Sequence, residues 1–99
     1  MSHFMLRPKA EQDLERIWHY TLDTWGDQQA DTYIRQLNER FHMLADDPGI
    51  GRDCEYIRPA YRKYAVGQHV IFYRAVSDDA IEIVRILHER MDVERDLFE

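Results

Sequence analysis

The spacing of apolar side chains changes from a helical period to a strand period near the middle of this 99-residue chain. In the N-terminal half, two runs of apolar residues recur every three or four positions, which predicts two amphipathic helices. Gly26 ends the first helix, and Asp27 is expected to cap the second. The first stripe comprises Ala10, Leu14, Ile17, Trp18, Thr21, Leu22 and Trp25, and the second comprises Ala30, Tyr33, Ile34, Leu37, Phe41, Leu44 and Ala45.

Extended segments are expected on both sides of this helical hairpin. Aromatic and β-branched residues at strand period predict strands at residues 3–7, 61–66, 69–76 and 81–87. Gly67 and Gln68 fit a type II′ turn between the second and third of these strands. The order is therefore β-α-α-β-β-β. It predicts an α+β fold in which the N-terminal strand and the helical hairpin pack on one face of a mainly antiparallel sheet.

Size and composition favour a single domain spanning residues 1–99. Hydrophobic residues make up 44% of the chain and aromatic residues 12%, which suits one compact core. No apolar run approaches the roughly 18 residues of a membrane span, and the N-terminus lacks a secretory pattern, so we expect a cytoplasmic protein. Cys54 is expected to be an inert surface thiol whose pKa is raised by repulsion from Asp53 and Glu55.

Acidic residues outnumber basic ones and give a net charge of −6. Binding to a phosphate backbone relies on Lys and Arg, so this balance argues against nucleic acid as the main partner. The charge is uneven, however. Residues 52–74 hold five basic and two acidic side chains, while the other 76 residues hold eight basic and seventeen acidic ones. The basic segment is either a partner-facing patch or a solvated strand face.

The sequence offers little for catalysis by a metal ion or a nucleophile. Its five histidines show no paired spacing with a carboxylate, and one cysteine cannot build a zinc site. There is no glycine-rich phosphate loop, and neither Ser2 nor Ser77 lies in a nucleophile elbow. We therefore expect no catalytic residue, no metal site and no cofactor.

The last predicted strand turns abruptly from apolar to charged residues at positions 85–92. This segment is one of several along the chain that resemble a known family. Over residues 6–97 the chain is similar to the ParE branch of the RelE/ParE bacterial toxins. The matching residues occur in the family's order and spacing within a short chain. They are Ala10, Asp13, Leu14, Ile17, Tyr20, Trp25, Gly26, Gln29, Ala30, Phe41, Leu44, Ala45, Pro48, Gly51, Arg58, Tyr61, Arg62 and Gly67, with residues 69–74, 85–88 and 90–92.

The resemblance implies the toxin of a type II toxin–antitoxin pair, which a ParD-like antitoxin neutralises in a hetero-oligomer and which inhibits DNA gyrase when released. We expect no sequence-specific nucleic-acid binding by this chain and no membrane partner.

The sister RelE branch cuts mRNA on the ribosome, using basic side chains and a C-terminal aromatic residue or histidine. The acidic chain, and Glu89 and Arg90 after His88 where an aromatic residue would be wanted, disfavour that endoribonuclease alternative. We expect His88 to orient the C-terminal segment by hydrogen bonding. The third alternative is an inert member kept for partner binding.

Two sets of side chains are candidates for partner binding, and each antitoxin candidate has core packing as its alternative. Antitoxin candidates are Trp18, Trp25, Tyr33, Phe41 and Leu44, between the helical hairpin and the sheet. Candidates for the gyrase-directed face are Arg58, Tyr61, Arg62, Arg85, His88, Arg90 and Met91. Arg62 and Arg85 could instead pair with Glu82 or Asp92. The family often has glycine at the position of Ala60, so a small shift of that loop is expected.

Overall fold

A computed structural model describes residues 2–97, apart from the side chain of Glu94. Two long helices lie next to each other in sequence, and strands precede and follow them. The elements are β1 (His3–Leu6), α1 (Pro8–Trp25), α2 (Asp27–Asp46), a 3₁₀ helix (Pro48–Ile50), β2 (Arg52–Asp53), β3 (Tyr61–Val66), β4 (His69–Ser77), β5 (Ala80–His88) and α3 (Val93–Asp96). No helix among these residues is long and apolar enough to cross a membrane.

The five strands form one sheet in the order β1-β5-β4-β3-β2. β1 is parallel to β5, and every other neighbouring pair is antiparallel. The predicted α+β class and the β-α-α-β-β-β order of the longer elements are confirmed. The sequence did not predict β2 or α3, because a two-residue strand and a one-turn helix are too short to show a hydrophobic period.

The helical hairpin covers one face of the sheet. Its stripes pack on β4 and β5 in the main core, which includes Ala10, Ile17, Leu37, Phe41, Leu44, Ile71, Tyr73, Ile81, Ile83 and Ile86. The prediction that Asp27 caps α2 is wrong, because Gly26 occupies that position and Asp27 is the first helical residue. Gly26 has a φ of 93°, which glycine adopts readily, so a single residue turns the chain between the two helices.

A smaller core lies on the opposite face of the sheet. It contains Cys54, Tyr61, Phe72, Val84, Leu87 and Leu97. The expectation of a surface thiol is wrong, since Cys54 is fully buried at 0% exposure. Burial raises the pKa of the Cys54 thiol, with a smaller contribution in the same direction from Asp53. The predicted direction is therefore correct, but burial rather than charge repulsion is its main cause.

Tyr73 fixes the loop that leads from α2 back to the sheet. Its hydroxyl donates to the carbonyl oxygen of Pro48 at 2.6 Å and accepts the amide of Gly51 at 2.9 Å. A side chain on Gly51 would place its Cβ only 2.1 Å from the Tyr73 hydroxyl oxygen. Glycine is therefore required there by close approach, which explains why Pro48 and Gly51 belong to the residues that carry the resemblance.

Type II′ geometry fits the tight turn between β3 and β4. Val66 pairs with His69 across a two-residue turn, and Gly67 has a φ of 55°. Only the first central residue of a type II′ turn needs a positive φ. The predicted Gly67-Gln68 turn therefore agrees with the structure.

Ala60 carries the backbone strain that its glycine-favouring position implies. It has a φ of 69°, a conformation that costs a residue with a Cβ about 1–2 kcal/mol. Ala60→Gly removes this strain but gives the unfolded chain more freedom. We expect the free energy of unfolding, measured with urea, to rise by about 0.5–1 kcal/mol. The control Ala65→Gly, in strand β3, should lower it by about 0.5–1 kcal/mol. Equal losses for both variants would contradict this prediction.

Candidate partner-binding site

A buried ion pair ties the last strand to the first helix. Arg85 donates from Nε to Asp13 Oδ2 at 2.8 Å and from Nη2 to Asp13 Oδ1 at 3.0 Å. Both residues are buried, at 8% and 2% exposure. Arg85 also donates to the backbone oxygen of Asp96 in α3. The interpretation that Arg85 pairs with Glu82 or Asp92 is therefore wrong, and Arg85 instead links α1, β5 and α3.

The edge of β5 explains why this pair forms. β1 pairs with β5 only over residues 80–83, so the remainder of β5 needs other partners on that side. Asp13 Oδ2 accepts the amide of Ile86 at 2.9 Å and so satisfies a backbone donor that would otherwise be buried without a partner. One carboxylate therefore serves both the Arg85 guanidinium and the sheet edge.

A β-bulge in β5 sets which side chains face each core. Phe72 pairs with Arg85 and Tyr73 with Ile83, which leaves Val84 as an extra residue. Such an insertion shifts the alternation of side chains. Ile83 and Ile86 therefore both face the helical hairpin, while Val84 packs in the smaller core.

Cationic side chains surround a concavity that we name the basic pocket. It has a volume of about 370 Å³ and is lined by Arg7, Pro8, Lys9, Arg58, Tyr61, Val84, Arg85 and Leu97. Close by, Glu82 accepts Arg7 at 2.8 Å and Arg74 at 3.0 Å. Burial acts to raise the pKa of Glu82, but the hydrogen bonds from Arg7 and Arg74 outweigh it and hold that pKa below its usual value.

Two adjoining concavities of about 290 and 270 Å³ form a second surface, which we name the aromatic groove. They share Tyr20, His69 and His88. Tyr20 and Trp25 are 65% and 70% exposed, which is unusual for aromatic side chains of this size. The lining residues are Asp13, Arg16, Ile17, Tyr20, Thr21, Trp25, Gln29, Tyr33, Gly67, Gln68, His69, Ile86, His88 and Met91.

The two histidines of the aromatic groove are held by local hydrogen bonds. His69 Nδ1 lies 2.7 Å from the hydroxyl oxygen of Tyr33. Its ring meets the His88 ring edge to face, with 5.4 Å between centroids. His88 Nδ1 accepts the backbone amide of Arg90 at 3.1 Å. The hydrogen bond expected between His88 and the segment after β5 is therefore present.

Protonation of His69 is expected to destabilise the fold. Burial lowers the pKa of His69 below its usual value, and His88 lowers it further, while Asp13 and Glu89 act weakly in the opposite direction. The unfolded chain therefore binds a proton more readily than the folded chain. The stability that depends on neutral His69 is complete above the unfolded pKa of about 6.5 and is lost as pH falls through the lower folded pKa.

We expect the urea midpoint of the wild type to fall between pH 7.5 and pH 5.5, and His69→Gln to show a smaller fall. Glutamine retains hydrogen-bonding capacity toward Tyr33 but carries no titrating group. Other titrating groups are the same in both proteins, so the difference between the two falls in urea midpoint reports on His69. An equal fall in both proteins would refute the assignment to His69.

The structure divides the predicted gyrase-directed face into two parts. Arg58, Tyr61 and Arg85 line the basic pocket, whereas His88 and Met91 line the aromatic groove. The two remaining residues lie apart from both. Arg62 donates to the backbone oxygen of Gly51 at 2.9 Å, not to Glu82 or Asp92, and Arg90 is exposed in the turn after β5.

The predicted antitoxin residues are also divided. Trp25 and Tyr33 line the aromatic groove, and Trp18 is partly buried on α1. Phe41 and Leu44 are 1% and 0% exposed, so for them the core alternative is correct, because they pack against strand residues in the main core from the C-terminal part of α2. Neither residue is therefore part of the candidate surface.

Sequence reasoning missed several residues of these sites, namely Arg7, Lys9, Asp13, Tyr20 and His69. The sequence around Asp13 does indicate that this residue is buried. It lies three residues after Ala10 and four before Ile17, inside an otherwise apolar stripe. A carboxylate on the buried face of a helix needs a cationic partner. Arg85, in the largely apolar last strand, was a candidate for that partner.

The chain as a whole is similar to proteins of one known family. Residues 4–93 match the family model described as "ParE toxin of type II toxin-antitoxin system, parDE". The chain is 47% identical to Toxin ParE1 of Mycobacterium tuberculosis over 96 residues, which cover 97% of this chain and 98% of that protein. It is 40% identical to Toxin ParE1 of Caulobacter vibrioides, with 93% and 94% covered.

A solved structure described as "Chromosomal ParDE TA system from P. aeruginosa" has the same fold. The TM-score is 0.74 at 21% sequence identity, with 89% of this chain and 96% of that chain covered. The chain is thus a toxin of the type II toxin–antitoxin class. Within that class it belongs to the ParE toxin family.

Proposed function

We propose that a ParD-type antitoxin neutralises this toxin and that the released chain inhibits DNA gyrase by binding it, with no bond broken by its own side chains. The matching family model and the solved structure of similar fold both carry the name ParDE. The observation that carries the proposal is that a member of the ParE family exposes Tyr20 and Trp25 in a groove. Both proposed partners act in the cytoplasm, where we expect this chain to act.

The aromatic groove is the proposed antitoxin site. Amphipathic helices bind grooves by inserting apolar side chains at helical spacing, and exposed Trp and Tyr side chains dominate many such interfaces. Trp25 and Tyr20 supply large apolar surface, and Met91 supplies a flexible side chain that adapts to a partner. Core packing does not explain the first two, since both are more than half exposed.

The basic pocket and its rim are the proposed gyrase-directed surface. The chain as a whole is acidic, so a concavity lined by Arg and Lys stands out as an electrostatic contrast. Arg58 and Lys9 are exposed beside the largely buried Tyr61. Arg provides directional hydrogen bonds and Tyr apolar contact, the combination that is enriched at protein interfaces.

A supercoiling assay tests this proposal. Toxin separated from its antitoxin should inhibit gyrase and increase the amount of cleaved DNA, and added antitoxin should reverse both effects. Combining Lys9→Ala with Arg58→Ala should weaken inhibition by about tenfold or more. Arg52→Ala is the matched control, because Arg52 is exposed on β2 outside the pocket. Absence of inhibition at a toxin concentration that saturates the antitoxin would reject the gyrase role.

A ribosome-dependent mRNA endoribonuclease is the second candidate function. The observation in its favour is the contact between His69 and His88 in a groove that also contains Arg16, since paired histidines can act as general acid and base. The acidic chain argues against it. Cleavage of mRNA between codons by translating ribosomes, lost in His88→Ala while gyrase is unaffected by the wild type, would establish this alternative instead.

A further inference from the structure

The two histidines of the aromatic groove carry their protons on different ring nitrogens. Tyr33 donates from its hydroxyl to the carbonyl oxygen of Val66 at 3.0 Å. A hydroxyl has one proton, so the 2.7 Å contact between this hydroxyl oxygen and His69 Nδ1 requires His69 to be the donor. The neutral His69 ring therefore has its proton on Nδ1, which leaves its Nε2 as an acceptor.

His88 has the opposite arrangement. Its Nδ1 accepts the backbone amide of Arg90 at 3.1 Å, so this nitrogen carries no proton, and the proton of the ring lies on Nε2. The groove therefore presents an acceptor, Nε2 of His69, beside a donor, Nε2 of His88. The centroids of the two rings are only 5.4 Å apart, so one small polar group can reach both.

Both Nε2 atoms are open to the groove. The two histidines line both of its concavities and are partly buried. Among the described residues, neither Nε2 has a hydrogen-bond partner, and no side-chain nitrogen or oxygen is both buried and unpartnered. The two atoms must therefore reach the surface. A partner that covers the groove has to hydrogen-bond them, because leaving them buried without a partner is costly.

The groove favours an uncharged polar group at this point. Asp13 and Arg16 are the only charged side chains among its described lining residues, and they lie 3.7 Å apart with opposite signs. Burial lowers the pKa of His69, which keeps its ring neutral near pH 7. A carboxylate has no proton to donate to His69, and an ammonium or guanidinium group has no acceptor for His88. A carboxamide has both.

We propose that the two histidines form a carboxamide-binding subsite that receives the side chain of a Gln or Asn residue from the antitoxin. The amide oxygen accepts from His88 Nε2, and the amide nitrogen donates to His69 Nε2. An amphipathic helix has its backbone N–H and C=O groups paired along its own length, so a side chain must supply this amide. The inference deepens the proposed function, on which it rests for the helical partner.

A first test measures the proton positions. The full-length chain is labelled with ¹⁵N-histidine, and long-range ¹H–¹⁵N correlation spectra near neutral pH separate protonated from unprotonated ring nitrogens. We expect the unprotonated nitrogen to be Nε2 in His69 and Nδ1 in His88. The same proton position in both rings would overturn the proposal, because the subsite would then lack either its donor or its acceptor.

A second test titrates the same sample with blocked tripeptides. Leucine–glutamine–leucine carries the carboxamide, leucine–glutamate–leucine replaces it with a charge, and leucine–methionine–leucine has an apolar side chain of similar length. We expect the glutamine peptide to shift the Nε2 resonances of both histidines saturably. It should bind more tightly than either other peptide by about threefold or more, the effect of one or two net hydrogen bonds. Equal or weaker binding of the glutamine peptide, or no saturable shift at millimolar peptide, would overturn the proposal.

Variants locate the preference at the two rings. His69→Phe and His88→Phe keep an aromatic ring but remove the acceptor and the donor, so each should abolish the preference for the glutamine peptide. His42→Phe is the matched control, because the exposed His42 also meets an aromatic ring, that of Phe4, but lies outside the groove. It should leave the preference unchanged.

Each outcome of these titrations bears on the subsite separately from the proposed function. The three peptides are compared on the wild type, so that comparison does not depend on the folding of a variant. A preference retained in both groove variants would place the amide elsewhere and overturn the proposal. Antitoxin that binds the aromatic groove while the peptides do not discriminate would refute the subsite and leave the proposed function standing.

Discussion

Asp13→Leu is expected to lower the free energy of unfolding by about 3–5 kcal/mol, the usual effect of removing one partner from a buried ion pair. The substitution leaves the guanidinium of Arg85, a residue that is 8% exposed, without its bidentate carboxylate. It also removes the acceptor of the Ile86 amide. Urea unfolding monitored by circular dichroism measures the change, provided that the variant retains a cooperative transition.

A double-mutant cycle with Arg85→Met tests whether the effect arises from the pair. Replacing both charges with apolar side chains often restores much of the loss, so the double variant should be more stable than the sum of the single effects predicts. A residual loss of about 1–3 kcal/mol should remain, because the Ile86 amide still lacks an acceptor. Asp13→Asn keeps that acceptor and should isolate the loss of charge.

Arg16→Met is the matched control for this cycle. Arg16 lies 3.7 Å from Asp13 Oδ1, but its side chain is 60% exposed. An exposed ion pair contributes only about 0–1 kcal/mol, so this variant should change stability little. Strictly additive effects of Asp13→Leu and Arg85→Met, or an equal loss for Arg16→Met, would show that the buried pair is not coupled as the structure indicates.

The sequence predicted the fold wherever the apolar period was long enough to be read. Helices α1 and α2 span 18 and 20 residues, and their stripes repeat several times. The tight turn at Gly67 was predictable because few residue types fit its backbone. By contrast, the parallel pairing of β1 with β5 joins segments more than 70 residues apart, and no local pattern encodes that choice.

The contacts that build the candidate sites were less predictable for the same reason. Arg85 is followed by seven charged or polar residues in the next eleven positions, so nearby carboxylates such as Glu82 and Asp92 were the obvious partners by sequence distance. The actual partner, Asp13, lies 72 residues away. The β-bulge at Val84 redirects the strand locally, and a bulge leaves no clear mark in a run as rich in apolar residues as this one.

Side chains on the apolar stripes of α1 and α2 differ widely in burial. Phe41 and Leu44 pack against strand residues and are buried, while Trp25 is the last residue of α1, shares a concavity with the turn between β3 and β4, and is 70% exposed. Periodicity gives the direction of a side chain around the helix axis. It does not say where along that axis the covering element stops, which is why the antitoxin candidates included core residues.

Trp25→Ala combined with Tyr20→Ala is expected to weaken antitoxin binding by about 2–4 kcal/mol, or roughly 30-fold to 1000-fold in dissociation constant. Both side chains are more than half exposed and line the aromatic groove, so their loss should remove interface area without opening a cavity in the core. The free energy of unfolding of the toxin alone should change by no more than about 0.5 kcal/mol for each exposed substitution.

Isothermal titration calorimetry of the toxin with its ParD-type antitoxin measures this effect, with Tyr56→Ala as the matched control. Tyr56 is an aromatic side chain of similar exposure, at 75%, and lies near Lys63 outside the groove. Its removal should leave affinity unchanged. If binding in Trp25 and Tyr20 variants stays within about threefold of the wild type, or if Tyr56→Ala weakens it equally, the antitoxin binds elsewhere, because burial of a Trp side chain at an interface core rarely contributes so little.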